Sequence, residues 1–137
     1  MISAAVVDTD VLSFLFKGDS RASNYRAHLN GRILVVSFMT IAELDRWALQ
    51  RNWGEARRAS MEQQLRQFVL PPVDRDLCRK WAEVTDGARR NGFSISCADA
   101  WVAATAVAYN IPLVTHNAAD FRGIDNLTVI TEQGDAP

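Results

Sequence analysis

Lysine is almost missing from this chain. Of its 15 basic residues only Lys17 and Lys80 are lysines, and the other 13 are arginines. Genomic composition produces such a bias as readily as function does. Planar guanidinium groups nonetheless suit phosphate and carboxylate partners. No charge of one sign dominates: 15 basic residues against 16 acidic ones give a net charge of −1. That balance argues against a non-specific nucleic-acid coat, though not against a basic rim around an acidic centre. Cysteine is scarce, and Cys78 and Cys97 lie too far apart for a C-x-x-C pair, so inert thiols are expected. No apolar run approaches the ~20 residues of a membrane span. The start has no basic segment leading into an apolar core, so a cytoplasmic setting and no membrane partner are expected. Low-complexity tracts and internal repeats are lacking too.

With 137 residues, 48% of them hydrophobic, the chain has the size and composition of one globular domain. Its pattern alternates strand and helix. Ala4 to Val7 reads as a short buried strand, followed by an apolar helical turn through Val11, Leu12, Phe14 and Leu15. Gly18, Asp19 and Ser20 break that turn, and Ser20 is expected to cap a helix to about Leu29. Ile33 to Val36 reads as a second strand, with Ser37 or Thr40 opening a long helix through Ala48. A further helix is expected from Glu55 to Phe68. Val69 to Val73 is extended, with Pro71-Pro72 confining it to a sheet edge or a turn. Asp74 caps a helix to about Arg90, and Ser96 caps an alanine-rich helix to about Tyr109. Pro112 to Thr115 and Leu127 to Ile130 complete five strands. The expectation is α/β: a mostly parallel five-stranded sheet flanked by helices, an α/β/α sandwich. Residues 1–131 would form the domain and 132–137 a polar tail, frayed from Thr131 onward.

Four acidic residues stand at strand exits or helix openings in this pattern: Asp8, Glu43, Asp99 and Asp120. Each has an ordinary explanation. Asp8 caps the helix that follows it, and Glu43 is a favourable charge near a helix start. Asp99 completes a capping box with Ser96, and Asp120 caps a short turn before Phe121. Their shared position is harder to explain by capping, because a parallel sheet gathers these ends along one edge, where ligands bind. A carboxylate cluster needs positive compensation, and an oxygen-only donor set selects Mg²⁺ or Mn²⁺ over Zn²⁺. Asp10, one position off the strand tip, is expected to turn outward and give support at most. His116 and His28 are read as incidental.

The residues also resemble a known family. Asp8-Thr9-Asp10-Val11-Leu12 is similar to the opening motif of PIN-domain nucleases. Ser37-x-x-Thr40-x-x-Glu43-Leu44 resembles their second motif, and Ala98-Asp99-Ala100-x-x-Ala103 their third. Leu113-Val114-Thr115-His116-Asn117-x-x-Asp120-Phe121 resembles their fourth. The likeness covers essentially the whole chain, in order, and its length points to the VapC toxin branch of toxin–antitoxin systems.

That resemblance implies a single PIN-like domain that cuts RNA as a metal-dependent endoribonuclease, with Mg²⁺ as cofactor and Mn²⁺ able to substitute. It implies that Asp8 and Asp99 hold the metal, with Glu43 and Asp120 contributing directly or through water. Thr9 and Thr40 would support the carboxylates. Some relatives carry an acid where Asn117 stands and others rely on the later position, here Asp120, so the fourth carboxylate is assigned to Asp120 with Asn117 in support. The implied partners are an RNA substrate, a VapB-type antitoxin and a second copy of the chain. Trp47 and Trp53 would line a groove for an antitoxin helix or a dimer partner, while Trp81 and Trp101 read as core. Arg21, Arg26 and Arg89-Arg90 are candidates to guide the RNA backbone.

Three other readings compete. A haloacid dehalogenase-type phosphatase shares the D-x-D after the first strand, but it needs a well-placed later lysine, and its Thr or Val position holds Leu12. A two-component receiver domain fails on the same missing lysine. A PIN-like domain that binds RNA or protein without cleaving would have lost carboxylates that this chain keeps.

Overall fold

Ala4-Ala5-Val6-Val7 has no polar side chain to place, so it can be covered on both faces, as a central parallel strand must be. A computed structural model of the chain describes residues 3–132. In it β1 (Ala4–Val7) lies inside a four-stranded sheet of order β2-β1-β3-β4. All its pairings are parallel: β2 (Ile33–Val35) and β3 (Leu113–Val114) flank β1, and β4 (Val129–Ile130) pairs with β3. The register matches Val6 with both Val35 and Leu113, and Val7 with Val114.

The helices are α1 (Thr9–Lys17), α2 (Ala22–Leu29), α3 (Phe38–Gln50), α4 (Glu55–Leu65), α5 (Arg75–Arg90) and α6 (Cys97–Tyr109). A 3-10 turn spans Ala118–Phe121. Alternation along β1 divides the core in two. Ala5 and Val7 join Leu12, Tyr25, Leu44 and Met61 from α1 to α4 on one face. Val6 joins Leu77, Val84, Ala100, Ala103 and Phe121 on the other, where α5 and α6 pack. Ala100, Ala103, Ala104 and Ala106 of α6 are buried on the side that packs on α5 and the sheet, because small side chains permit close approach. Each fully buried Val or Leu of this core contributes roughly 1.5–3 kcal/mol.

Three capping expectations hold. Ser37, not Thr40, opens α3 by accepting Met39 N at 3.1 Å. Asp74 accepts Leu77 N at 2.9 Å, and Ser96 accepts Asp99 N at 3.1 Å. Ser20 does not cap α2, which has no side-chain cap. The Asp19 carboxylate instead accepts Arg21 N at 2.9 Å and pairs with the Arg21 guanidinium, so the chain turns on the stronger acceptor.

The fifth strand is also corrected. Val69 makes one parallel bridge to Val35, through Val69 N to Leu34 O at 2.8 Å and Val36 N to Val69 O at 2.9 Å. Pro71 and Pro72 bring no N–H, so the ladder stops there. Nor is Glu132 frayed, since its N–H donates to Tyr25 Oη at 3.1 Å and its carboxylate pairs with His28. The rest of the expected tail, 133–137, lies outside the described residues.

Candidate active site

β1 and β3 are neighbours in the sheet, but the chain leaves β1 towards β2 on the other side. The strand order therefore switches direction at their carboxyl ends, the place where open α/β sheets bind ligands. Asp8 is the first residue past β1. Its N–H donates to Val114 O at 2.9 Å, which keeps it in step with β3. One carboxylate oxygen accepts Thr9 N at 2.8 Å and caps α1, while the other accepts the Thr115 hydroxyl at 2.7 Å. Capping and site geometry are thus both served by one side chain.

Five carboxylates, those of Asp8, Asp10, Glu43, Asp99 and Asp120, line one open cavity of about 170 Å³, with Asn117 and Trp47 on its wall. All four acids singled out in the sequence reach it. Glu43, on α3, is held by Thr9: the Thr9 hydroxyl donates to Glu43 Oε1 at 2.9 Å. Thr40 Oγ1 lies 2.9 Å from Thr9 Oγ1 and, since Thr9 has one proton, donates to it. Asp99 enters from the first turn of α6, and the exposed Asp120 from the 3-10 turn.

Asp10 departs from expectation, because it turns inward. Its Oδ2 accepts His116 N at 3.0 Å and Asn117 Nδ2 at 3.0 Å, and its Oδ1 accepts Val11 N at 2.7 Å. It ties the loop after β3 to the start of α1. Thr115, within the fourth motif but not among its expected site residues, holds Asp8 directly, and its Oγ1 accepts Asn117 N at 3.1 Å. The signal was available, for a buried hydroxyl directly after an apolar strand needs a partner. His116 is not among the residues lining the acidic cavity, and its Nδ1 meets Tyr25 Oη at 2.6 Å. Of the candidate guiding arginines, Arg21 pairs with Asp19 and lies over the Phe14 ring, while Arg89 and Arg90 share Asp86.

Like charges in one pocket raise each other's proton affinity, and burial adds to it. Burial pushes the Asp8 carboxyl up to about 7, with the Asp10 charge adding to the push and the Thr115 and Thr9 hydrogen bonds opposing it. Burial raises Asp10 as well, against hydrogen bonds from Val11 and His116. Asp99 is raised by burial first and then by Asp120, Glu43 and Asp10.

Among the described residues, no group of three or more His, Cys, Asp or Glu side chains is arranged to hold an ion by protein ligands alone. The donor set still fits a hard cation, being carboxylate and amide oxygen in an open cavity with room for water. Mg²⁺ commonly takes one or two carboxylates and keeps several waters, so a complete protein cage is not what it asks for. A larger cavity, about 490 Å³, is lined by Val35, Val69, Leu70, Pro71 and Tyr109 among others, and holds no carboxylate. Trp47 and Trp53 line a third, of about 40 Å³, with Leu44 and Met61. Trp81 and Trp101 stack on each other with centroids 5.3 Å apart, half-buried against the α5–α6 core.

Comparison with known proteins identifies the family. The family model described as PIN domain matches residues 5–127. Ribonuclease VapC1 of Haemophilus influenzae (strain 86-028NP) is 30% identical over 125 residues, covering 89% of this chain and 92% of the relative. VapC ribonuclease Y4jK of Sinorhizobium fredii is 32% identical over 132 residues, covering 88% and 93%. Among solved structures, VapBC-1 from nontypeable Haemophilus influenzae superposes with a TM-score of 0.79 at 26% identity, covering 96% of this chain and 98% of that one. DNA-bound VapBC from Salmonella typhimurium shares the fold, with a TM-score of 0.82 at 21% identity over 95% and 98% of the two chains. The chain belongs to the PIN domain family, among its VapC ribonucleases.

Proposed function

We propose that this protein is the toxin of a toxin–antitoxin pair, an endoribonuclease dependent on Mg²⁺ or Mn²⁺ that hydrolyses RNA at the acidic cavity. One observation carries the reading: five carboxylates share a single cavity at the switch point, and Asp8 within it is pushed up to about 7. Such a cluster is costly to leave uncompensated. The ribonuclease names of its relatives and the VapBC complexes among its structural neighbours support the same reading.

Asp8 and Asp99 would bind the ion, with Glu43 and Asp120 reaching it through water. A bound divalent ion there would acidify water and polarise a phosphodiester. The chain's own part is to hold the acids in place. Thr115 fixes Asp8, Thr9 and Thr40 fix Glu43, and Asn117 fixes Asp10. The cavity is open, so a single-stranded or looped RNA can bring its backbone in. A VapB-type antitoxin and a second copy of the chain are the proposed protein partners.

Expression in a bacterial host without antitoxin tests the reading. Growth arrest and fragmented RNA are expected, both relieved by Asp8→Asn. Growth arrest that persists with Asp8→Asn at equal protein levels would assign the toxicity to something other than this site.

A further inference from the structure

Tyr25 is fully buried in α2 and does not line the acidic cavity, yet its hydroxyl stands between two parts of the chain. It receives the Glu132 N–H at 3.1 Å, and it lies 2.6 Å from His116 Nδ1. A tyrosine hydroxyl has one proton. Since the Glu132 N–H can only donate, the hydroxyl accepts there and has its own proton for His116. Were His116 Nδ1 protonated instead, the buried tyrosine proton would have no recorded acceptor among the described residues, an unfavourable arrangement. His116 is therefore bare at Nδ1 and protonated at Nε2. Its ring packs in T-shaped fashion on both Phe14 and Tyr25, with centroids at 5.2 and 5.7 Å and interplanar angles of 80° to both.

The same histidine's backbone N–H points at Asp10 Oδ2, and its neighbours Thr115 and Asn117 hold Asp8 and Asp10. We propose that Tyr25 is a positioning residue for the acidic site, a buried hydroxyl that locks the His116 ring and thereby the Thr115–Asn117 loop. At its other side the hydroxyl is held by the chain leaving β4, where Glu132 also pairs with His28. The loop bearing the site is thus fastened to the end of the described chain through one oxygen. This inference rests on the reading of the cavity as the nuclease site.

Tyr25→Phe removes the oxygen and leaves the ring in the core. Imidazole nitrogen NMR should show His116 as the Nε2–H tautomer in the wild type and a mixture or the other tautomer in Tyr25→Phe. RNA cleavage by Tyr25→Phe should fall in kcat by roughly 10-fold, within the range for a group that orients another, with KM changed less than about twofold. In a His116→Leu background, Tyr25→Phe should cause no further loss of kcat, because the two act through one contact. Losses that add in the double variant, or a Tyr25→Phe kcat within about twofold of wild type, would overturn the inference. A wild-type protein that cuts no RNA would overturn the nuclease reading instead. In that event an unchanged tautomer in Tyr25→Phe would still refute the hydrogen bond on which the inference stands.

Discussion

Asp8 is pulled in two directions. Its backbone place and its bonds to Thr9 and Thr115 favour the charged form, while burial and Asp10 oppose it more strongly. The sign of its pH dependence follows. An unfolded aspartate titrates near 3.8 and the folded one at about 7, so between those values the native state holds more protons than the unfolded state. Stability contributed by this group is full below about 3.8 and is lost as pH rises to about 7. Metal-free protein should therefore melt at a higher temperature at pH 5 than at pH 8, the reverse of an ion-paired aspartate. Melting curves in EDTA across that range check it. Asp8→Asn should raise the pH 8 melting temperature of metal-free protein by removing the charge. Thr115→Val should lower cleavage by about 10–100-fold, as loss of a group that orients a ligand does, and kinetics at saturating Mg²⁺ would show it. Asp8, Glu43, Asp99 and Asp120 were legible because each sits where a strand ends or a helix begins. Asp10 was not, since its partners come from a loop more than a hundred residues away in sequence. For Thr115 the sequence showed that a hydroxyl after an apolar strand needs a partner, but not that the partner is Asp8.

Elements were legible where local chemistry decides them. Ser37, Asp74 and Ser96 cap as their positions imply, and Pro71-Pro72 stops pairing because it lacks donors. Misreadings arose where two local options compete: Asp19 displaced Ser20 as the acceptor before α2. Ser96 matters twice, because the N–H it accepts belongs to Asp99 itself. Ser96→Ala should cost about 1 kcal/mol in denaturant unfolding, typical of a lost cap, and weaken Mn²⁺ binding because Asp99 loses its fixed backbone. Gly123 is another constraint at this scale. It has φ +79, and a Cβ there would lie 2.4 Å from the Phe93 ring, so Gly123→Ala should destabilise the loop after the 3-10 turn by roughly 1–3 kcal/mol.

At the scale of the molecule, alternating strand and helix segments implied a parallel sheet, and the motifs implied its family. Strand order was not readable from periodicity, since nothing local says that β3 rather than β2 lies beside the exit of β1 on the site's side. That order is what brings Thr115, Asn117 and Asp120 to Asp8 and Glu43, and α6 adds Asp99 to the same cavity. A near-neutral protein thus concentrates negative charge at one point, and the proposed RNA substrate, itself an anion, would need a cation to approach it. On the proposed reading this cavity cleaves RNA with a divalent ion. The most direct measurement is single-turnover cleavage of a labelled RNA by antitoxin-free protein, comparing wild type with Asp99→Asn in Mg²⁺ and in EDTA. Wild type should cut in Mg²⁺ and not in EDTA, and a well-folded Asp99→Asn should lose at least about 100-fold. Equal cutting by wild type and Asp99→Asn, or cutting undiminished by EDTA, would contradict it.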